Sequence, residues 1–191
     1  MVTSLFAGYS IFYALSLPNI YTSESTLIQS ESTGTNSGGG LSSQYASLGR
    51  MVGVNLSSSS SSNSEHKIAI IQSKSFLEHL LKKYDFIAPG LIAIDSYDEV
   101  TQSIKYNENI YKAEEKKWVR DTLRHRQKEP THIELHDVYL STIEVKNNIQ
   151  TGLITLSASH KSPIFAYELI SVIINEINEI SREKDLKNAK I

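Results

Sequence analysis

The chain has 191 residues, a formal net charge of −2 and no cysteine, a length that fits one domain with at most an appendage. Hydrophobic residues at 40% against 21% charged are enough for a folded core and exclude wholesale disorder. The empty cysteine column excludes disulfide frameworks, zinc fingers, iron–sulfur clusters and a cysteine nucleophile, and the near-neutral balance argues against a general nucleic-acid binder.

The mean hydropathy of −0.24 averages two unlike regions. Val2 to Leu17 reads VTSLFAGYSIFYALSL, and no charged residue precedes Glu24. Seventeen helical residues span roughly 26 Å against a bilayer core of about 30 Å, so the segment is about a turn short of a span. It is apolar on all sides, with Phe6, Tyr9, Phe12 and Tyr13 around its circumference, which favours a truncated transmembrane helix over residues 1–17 above a core helix. The missing turn and missing basic flank then put the natural start upstream of Met1. A signal peptide is the alternative, although no basic n-region and no small-x-small cleavage site precedes Pro18.

Pro18 stops the apolar helix. Ile20 to Gln29 combines β-formers with partial alternation and reads as a strand. Residues 30–64 form a low-complexity stretch with Gly38-Gly39-Gly40 and a serine run from Ser57 to Ser62, which reads as a flexible insertion. The apolar island inside it, Leu41 to Leu56, is a candidate inter-subunit element, with docking on the chain's own body as the alternative. Glu65 to Tyr84 reads as one amphipathic helix whose apolar face carries Ile70, Ile71, Ser73, Phe76, Leu77, Leu80 and Leu81, broken by Ala88-Pro89-Gly90.

Leu91 to Ile94 is a short apolar run, and residues 96–109 are polar and unassigned. Tyr111 to Lys128 is charged and reads as a helix anchored by Trp118, Val119 and Leu123; Pro130-Thr131 opens another helical stretch through Tyr139. Ser141 to Asn147 and Gly152 to Ser159 read as strands with a turn at 148–151. Ser162 and Pro163 supply an N-cap and an N1 proline to a helix with apolar positions at Phe165, Ala166, Leu169, Ile170, Ile173, Ile174, Ile177 and Ile180. No Gly or Pro stops it before Ile191.

Signals of chemistry are sparse. There is no nucleophile elbow, Walker loop or dinucleotide fingerprint, and nothing marks any serine as activated. The glycine triplet lacks a following G-K-[ST] and reads as linker. His132 and His136 have metal-ligand spacing on a helix, with His125 and His160 as potential recruits, but no third ligand is specified. Exposed histidines on a polar face are the default, so no catalytic, cofactor-binding or metal residue is assigned. Lys112, Lys116, Lys117, Arg120, Arg124, Arg126 and Lys128, interleaved with Glu114, Glu115 and Asp121, read as a solvated helix face. Contact with anionic head groups or an acidic glycan is the functional alternative. Asn55-Leu56-Ser57 matches a glycosylation sequon, which matters only in a eukaryotic secretory pathway.

Taken in order, several features form a series. The apolar segment runs into Leu17-Pro18-Asn19-Ile20-Tyr21-Thr22-Ser23-Glu24, and the Gly-rich stretch leads into Leu41 to Leu56. Ile70 to Leu81 and Trp118-Val119-Arg120 follow. The series ends with Thr151-Gly152-Leu153-Ile154-Thr155-Leu156, Ser162-Pro163 and Ile174-Asn175-Glu176-Ile177-Asn178. It resembles the Wzz-type polysaccharide co-polymerases, the chain-length determinants of the bacterial inner membrane. The similarity covers nearly the whole chain, and its last block is the most specific part.

The resemblance implies an α+β fold: a transmembrane helix at 1–17, a mixed α/β membrane-proximal periplasmic base domain over 18–161 with the insertion at 30–64, and the truncated start of a long extended helix over 162–191. It implies a non-enzymatic regulator of chain length in lipopolysaccharide O-antigen or related surface polysaccharide biosynthesis, without cofactor. The expected place is the inner membrane with the bulk of the chain in the periplasm. The expected partners are further copies in a homo-oligomeric ring, the polysaccharide polymerase, its lipid-linked glycan and the membrane, with no nucleic acid. The family's second membrane helix and its proline-rich approach are missing, so the chain reads as a fragment open at both ends. The alternatives are an export-linked co-polymerase of the same superfamily, acting on capsule or exopolysaccharide, and a secreted solute-binding domain or enzyme behind a signal peptide.

Overall fold

The computed structural model describes residues 2–27, 58–121, 127–148 and 153–189. The elements are, in order, α1 (Val2–Ser16), β1 (Tyr21–Leu27), α2 (Ser58–Ile71), α3 (Lys74–Lys83), α4 (Ile87–Ala93), β2 (Ile94–Asp98), β3 (Ser103–Tyr106), β4 (Tyr111–Lys112), β5 (Lys117–Trp118), α5 (His132–Thr142), β6 (Ile143–Asn148), β7 (Leu153–His160) and α6 (Pro163–Ala189). The mixed α/β character and the strands expected near 20–29, 141–147 and 152–159 are all present.

Alternation builds the main sheet. Its order is β1-β7-β6, antiparallel throughout. Ser25 and Val145 flank Leu156 in register. One face carries Ile143, Ile154, Leu156 and Ala158, all buried, with Val145 half-buried beside them. The other presents Thr22, Glu24, Thr26, Glu144 and Lys146 to solvent, as expected of an antiparallel sheet with one solvated side.

Helical periodicity covers the apolar face. Ser162 caps α6, its Oγ accepting from the Phe165 amide at 3.2 Å, and Pro163 opens the first turn, where a missing N–H costs nothing. Phe165, Ala166, Leu169, Ile170, Ile173 and Ile177 are buried and pack over β1 and β7. At 1.5 Å per residue the 27 residues of α6 reach roughly 40 Å. Ile71 of α2, Phe76, Leu77 and Leu80 of α3, Ile87 and Leu91 of α4, and Leu135 and Tyr139 of α5 join the same core. Each fully buried leucine or isoleucine contributes roughly 1.5–3 kcal/mol relative to exposure.

The expected transmembrane helix over 1–17 is corrected. Among the described residues no helix is long and apolar enough to cross a membrane. The 15 residues of α1 span roughly 22 Å, well short of a bilayer core of about 30 Å. The helix ends before Leu17, whose helical conformation is disfavoured by the Pro18 ring. Its described side chains are exposed, Phe6 at 71% and Phe12 at 74%.

Four other expectations change. The single helix over 65–84 is two. Ser73 ends α2 by donating to Ile70 O at 2.8 Å and starts α3 by accepting from the Phe76 amide at 3.2 Å, the behaviour of a capping serine. The serines from Ser58 to Ser62, expected as linker, form the first turns of α2.

Ala88-Pro89-Gly90 is not what breaks the preceding helix, which ends at Lys83, but lies within α4, because Pro89 occupies the first turn, where amides have no helical acceptor. An ideal Cβ on Gly90 would stand 1.9 Å from the Phe165 ring, so glycine lets that ring lie on α4.

The helix expected over 111–128 is a short hairpin through residue 118. Tyr111 pairs with Trp118 across β4 and β5, ring centroids 4.9 Å apart, and Lys116 takes φ 49° to close the turn. Cross-strand aromatic packing outweighs weak helix propensity here. A second hairpin, β2–β3, occupies the unassigned polar stretch. It is tied to β1 by the Tyr21 hydroxyl, which donates to Glu99 Oε1 at 2.5 Å, and by edge-on packing of Tyr21 on Tyr97. The glycine triplet, the Leu41 to Leu56 island, Asn55, Leu123, Arg124, His125, Arg126 and residues 149–151 of the expected turn lie outside the described residues.

Candidate functional site

The most concentrated polar arrangement lies on the apolar stripe of α6. Glu176 sits between buried Ile173 and Ile177 and is itself buried. A carboxylate in that position needs partners, and α3 provides them. His79 and Lys83 are one helical turn apart, and Tyr84 follows at the C-cap. His79 Nε2 lies 2.7 Å from Oε2, while Lys83 Nζ and the Tyr84 hydroxyl donate to Oε1 at 2.6 and 2.7 Å. Burial pushes the Glu176 carboxyl up, but the donors outweigh it and hold the group at about 2. The same bonds raise Lys83 and Tyr84 above their ordinary values. A carboxylate held that low is not poised for proton transfer near neutrality. Its role is to lock α3 onto α6.

The histidines singled out by spacing do other work. His136, expected exposed, is buried, with Nε2 2.9 Å from Gln72 O. Tyr139, one turn on, donates to Ile71 O at 3.0 Å. These two α5 side chains satisfy carbonyls at the end of α2 that lack helical partners. His132 is exposed. The His160 ring packs tilted against Phe165, centroids 4.6 Å apart, and its Nδ1 accepts from the Ser162 amide at 3.2 Å; burial, aided by Lys161, pushes its pKa down to about 4. Among the described residues no group of three or more His, Asp or Glu is arranged to hold a metal ion.

The expected solvated basic face is likewise redistributed. Arg120 forks onto both Glu134 carboxylate oxygens and donates to Lys128 O at 2.7 Å, which ties it to the start of α5. Lys116 and Lys117 are exposed on the hairpin.

The two hairpins enclose a cleft that sequence reading missed. Its volume is about 380 Å³, and its lining includes Tyr106, Glu108, Tyr111, Lys112, Glu114 and Glu115, at the low end of the roughly 300–1,000 Å³ typical of ligand pockets. The ring centroids of Tyr106 and Tyr111 are 5.8 Å apart, and those of Tyr111 and Trp118 4.9 Å. Burial raises the Tyr106 hydroxyl pKa, with Tyr111 and Glu168 adding to the effect. The sequence signal was aromatic residues at 106, 111 and 118 interleaved with glutamates.

No protein-family model, curated protein or solved structure matches the chain.

Proposed function

We propose that the chain is a non-enzymatic regulator of polysaccharide chain length in lipopolysaccharide O-antigen or related surface polysaccharide biosynthesis. It works as a homo-oligomeric ring on the periplasmic side of the bacterial inner membrane, beside the polymerase and its lipid-linked glycan.

One observation carries this reading. The most specific block of the resemblance coincides with the spine of the fold. Leu153 to Leu156 lie in the central strand β7, Ser162 caps α6, and Glu176 is the carboxylate that locks α6 to α3. The block thus consists of residues that a sheet-and-helix base needs, in the order it needs them. The length of α6 suits an element that leaves the base and reaches outward. The reading rests on this body and not on α1. Ring contacts of the proposed kind are heterologous, head to tail, and close only at a suitable rotation between copies.

The test is genetic. Deleting the gene should change the modal length of the surface polysaccharide on a gel, and restoring it should return the original distribution. An unchanged distribution overturns the proposal.

A further inference from the structure

We infer that the cleft between the β2–β3 and β4–β5 hairpins is a glycan subsite that takes a neutral or amino-sugar segment and rejects a polyanionic one. The ligand class rests on the chain-length reading; the selectivity rests on the cleft itself.

A sugar ring offers an apolar C–H face and a rim of hydroxyls. The cleft offers the complement of both. Tyr106 is half-buried and lines it with an aromatic ring, Tyr111 forms a buried wall beside that ring, and Trp118 packs against Tyr111. Rings held by one another lose little freedom when a ligand arrives. Glu108, Glu114 and Glu115 are exposed at the rim, and ionised carboxylates accept hydroxyl protons in charge-assisted bonds.

Charge sets the selectivity. Among the lining residues three carboxylates stand against one cation, Lys112, which already lies 3.4 Å from Glu115, while Lys116 and Lys117 are exposed on the same hairpin but do not line the cleft. This field repels uronate, sulfate or phosphate groups and attracts the ammonium of an amino sugar. A volume of about 380 Å³ admits only a short stretch of chain, so a single subsite binds weakly. Repetition around a ring converts weak contacts into avidity once a glycan is long enough to reach two of them, which makes the subsite sensitive to length.

The full chain should be titrated with chitosan tetramer, maltohexaose and tetragalacturonate, with tetramethylammonium as a cation control. Saturation-transfer NMR detects the sugars and tetramethylammonium, and the fluorescence of Trp118, the single tryptophan, reports on the hairpin. Saturable binding of chitosan tetramer, maltohexaose or both is expected, with none for tetragalacturonate. Glu108→Gln combined with Glu114→Gln changes only exposed side chains and should weaken binding at least fivefold. Tyr106→Phe should keep binding and Tyr106→Ala should lose it.

The inference is overturned if neither chitosan tetramer nor maltohexaose binds, or if tetragalacturonate binds as well as they do. It is also overturned if tetramethylammonium alone matches chitosan tetramer, or if the double glutamine variant binds normally. A chain-length defect on gene deletion without sugar binding removes the subsite alone. Sugar binding without that defect removes the chain-length reading and leaves the subsite.

Discussion

Lys83 Nζ of α3 donates at 2.6 Å to Glu176 of α6, whose side chain is only 3% exposed. The partners lie 93 residues apart and join the two helices by a charge that burial alone would disfavour. Lys83 keeps nearly half its surface, so removing it leaves a solvated site with two donors still on the carboxylate. Replacing the carboxylate by an amide removes the charge that Lys83 and Tyr84 donate to at one oxygen and turns the other, opposite His79, into a donor. Glu176→Gln should therefore cost about 2 kcal/mol in urea unfolding, and Lys83→Met, on the solvent side of the pair, distinctly less. Equal costs for the two variants would refute this ordering.

Acid should loosen the fold in two stages. His160 is held at about 4 against an ordinary 6.5, so between those values the unfolded chain binds more protons and stability falls as pH falls. Glu176 is held at about 2 against 4.5; in that lower window the unfolded carboxyl is again the better proton acceptor, and stability falls further. Urea midpoints measured from pH 7 to pH 2 should show both declines. His160→Gln should flatten the decline between pH 6.5 and 4 and leave the lower one.

Gly90 should not tolerate a methyl group. Alanine normally favours a helix by about 1 kcal/mol over glycine, but here its Cβ meets the side of the Phe165 ring at 1.9 Å. That ring is 2% exposed and packed between Phe86 and His160, so it cannot swing away freely. Gly90→Ala should destabilise by about 1–3 kcal/mol, as overpacking does. A Gly90→Ala variant with an unchanged or raised melting temperature would contradict this packing.

The parts legible in the sequence are those with one strong period. Alternation in Leu153 to His160 had no helical rival, and Ser162-Pro163 has one common structural meaning. Tyr111 and Trp118 do not declare a hairpin in the sequence because seven residues is also the spacing of one helix face. Charged neighbours allow either conformation, and the ring-to-ring contact of the hairpin decides between them. Ser73 hides the helix boundary for a similar reason: helical counting runs through it, while its hydroxyl takes the backbone bonds that separate α2 from α3. Nothing local marks Glu176 as a buried acceptor, because its donors lie 92 to 97 residues away. The cleft arises only where the two hairpins meet, so no single stretch of sequence encodes it.

Those two hairpins share a turn design that makes a paired prediction. Each loop has four residues, Glu99 to Gln102 and Ala113 to Lys116, and each ends in a left-handed residue, Gln102 at φ 51° and Lys116 at φ 49°. In the first, Asp98 Oδ1 accepts from the Val100 and Thr101 amides at 3.0 and 3.1 Å, while Oδ2 accepts from Lys105 at 2.8 Å. A side chain at positive φ costs roughly 1–2 kcal/mol, and glycine avoids it at some expense in unfolded-chain freedom. Gln102→Gly and Lys116→Gly should thus each stabilise by about 0.5–1 kcal/mol, whereas Lys116→Val should destabilise. Asp98→Ala should remove the support of the first loop and leave the second unaffected. Thermal unfolding measures the net effects. Amide hydrogen exchange at Ser103–Tyr106 and at Lys117–Trp118 shows whether each change stays in its own hairpin, and a loss of protection in both from Asp98→Ala would show that they do not fold independently.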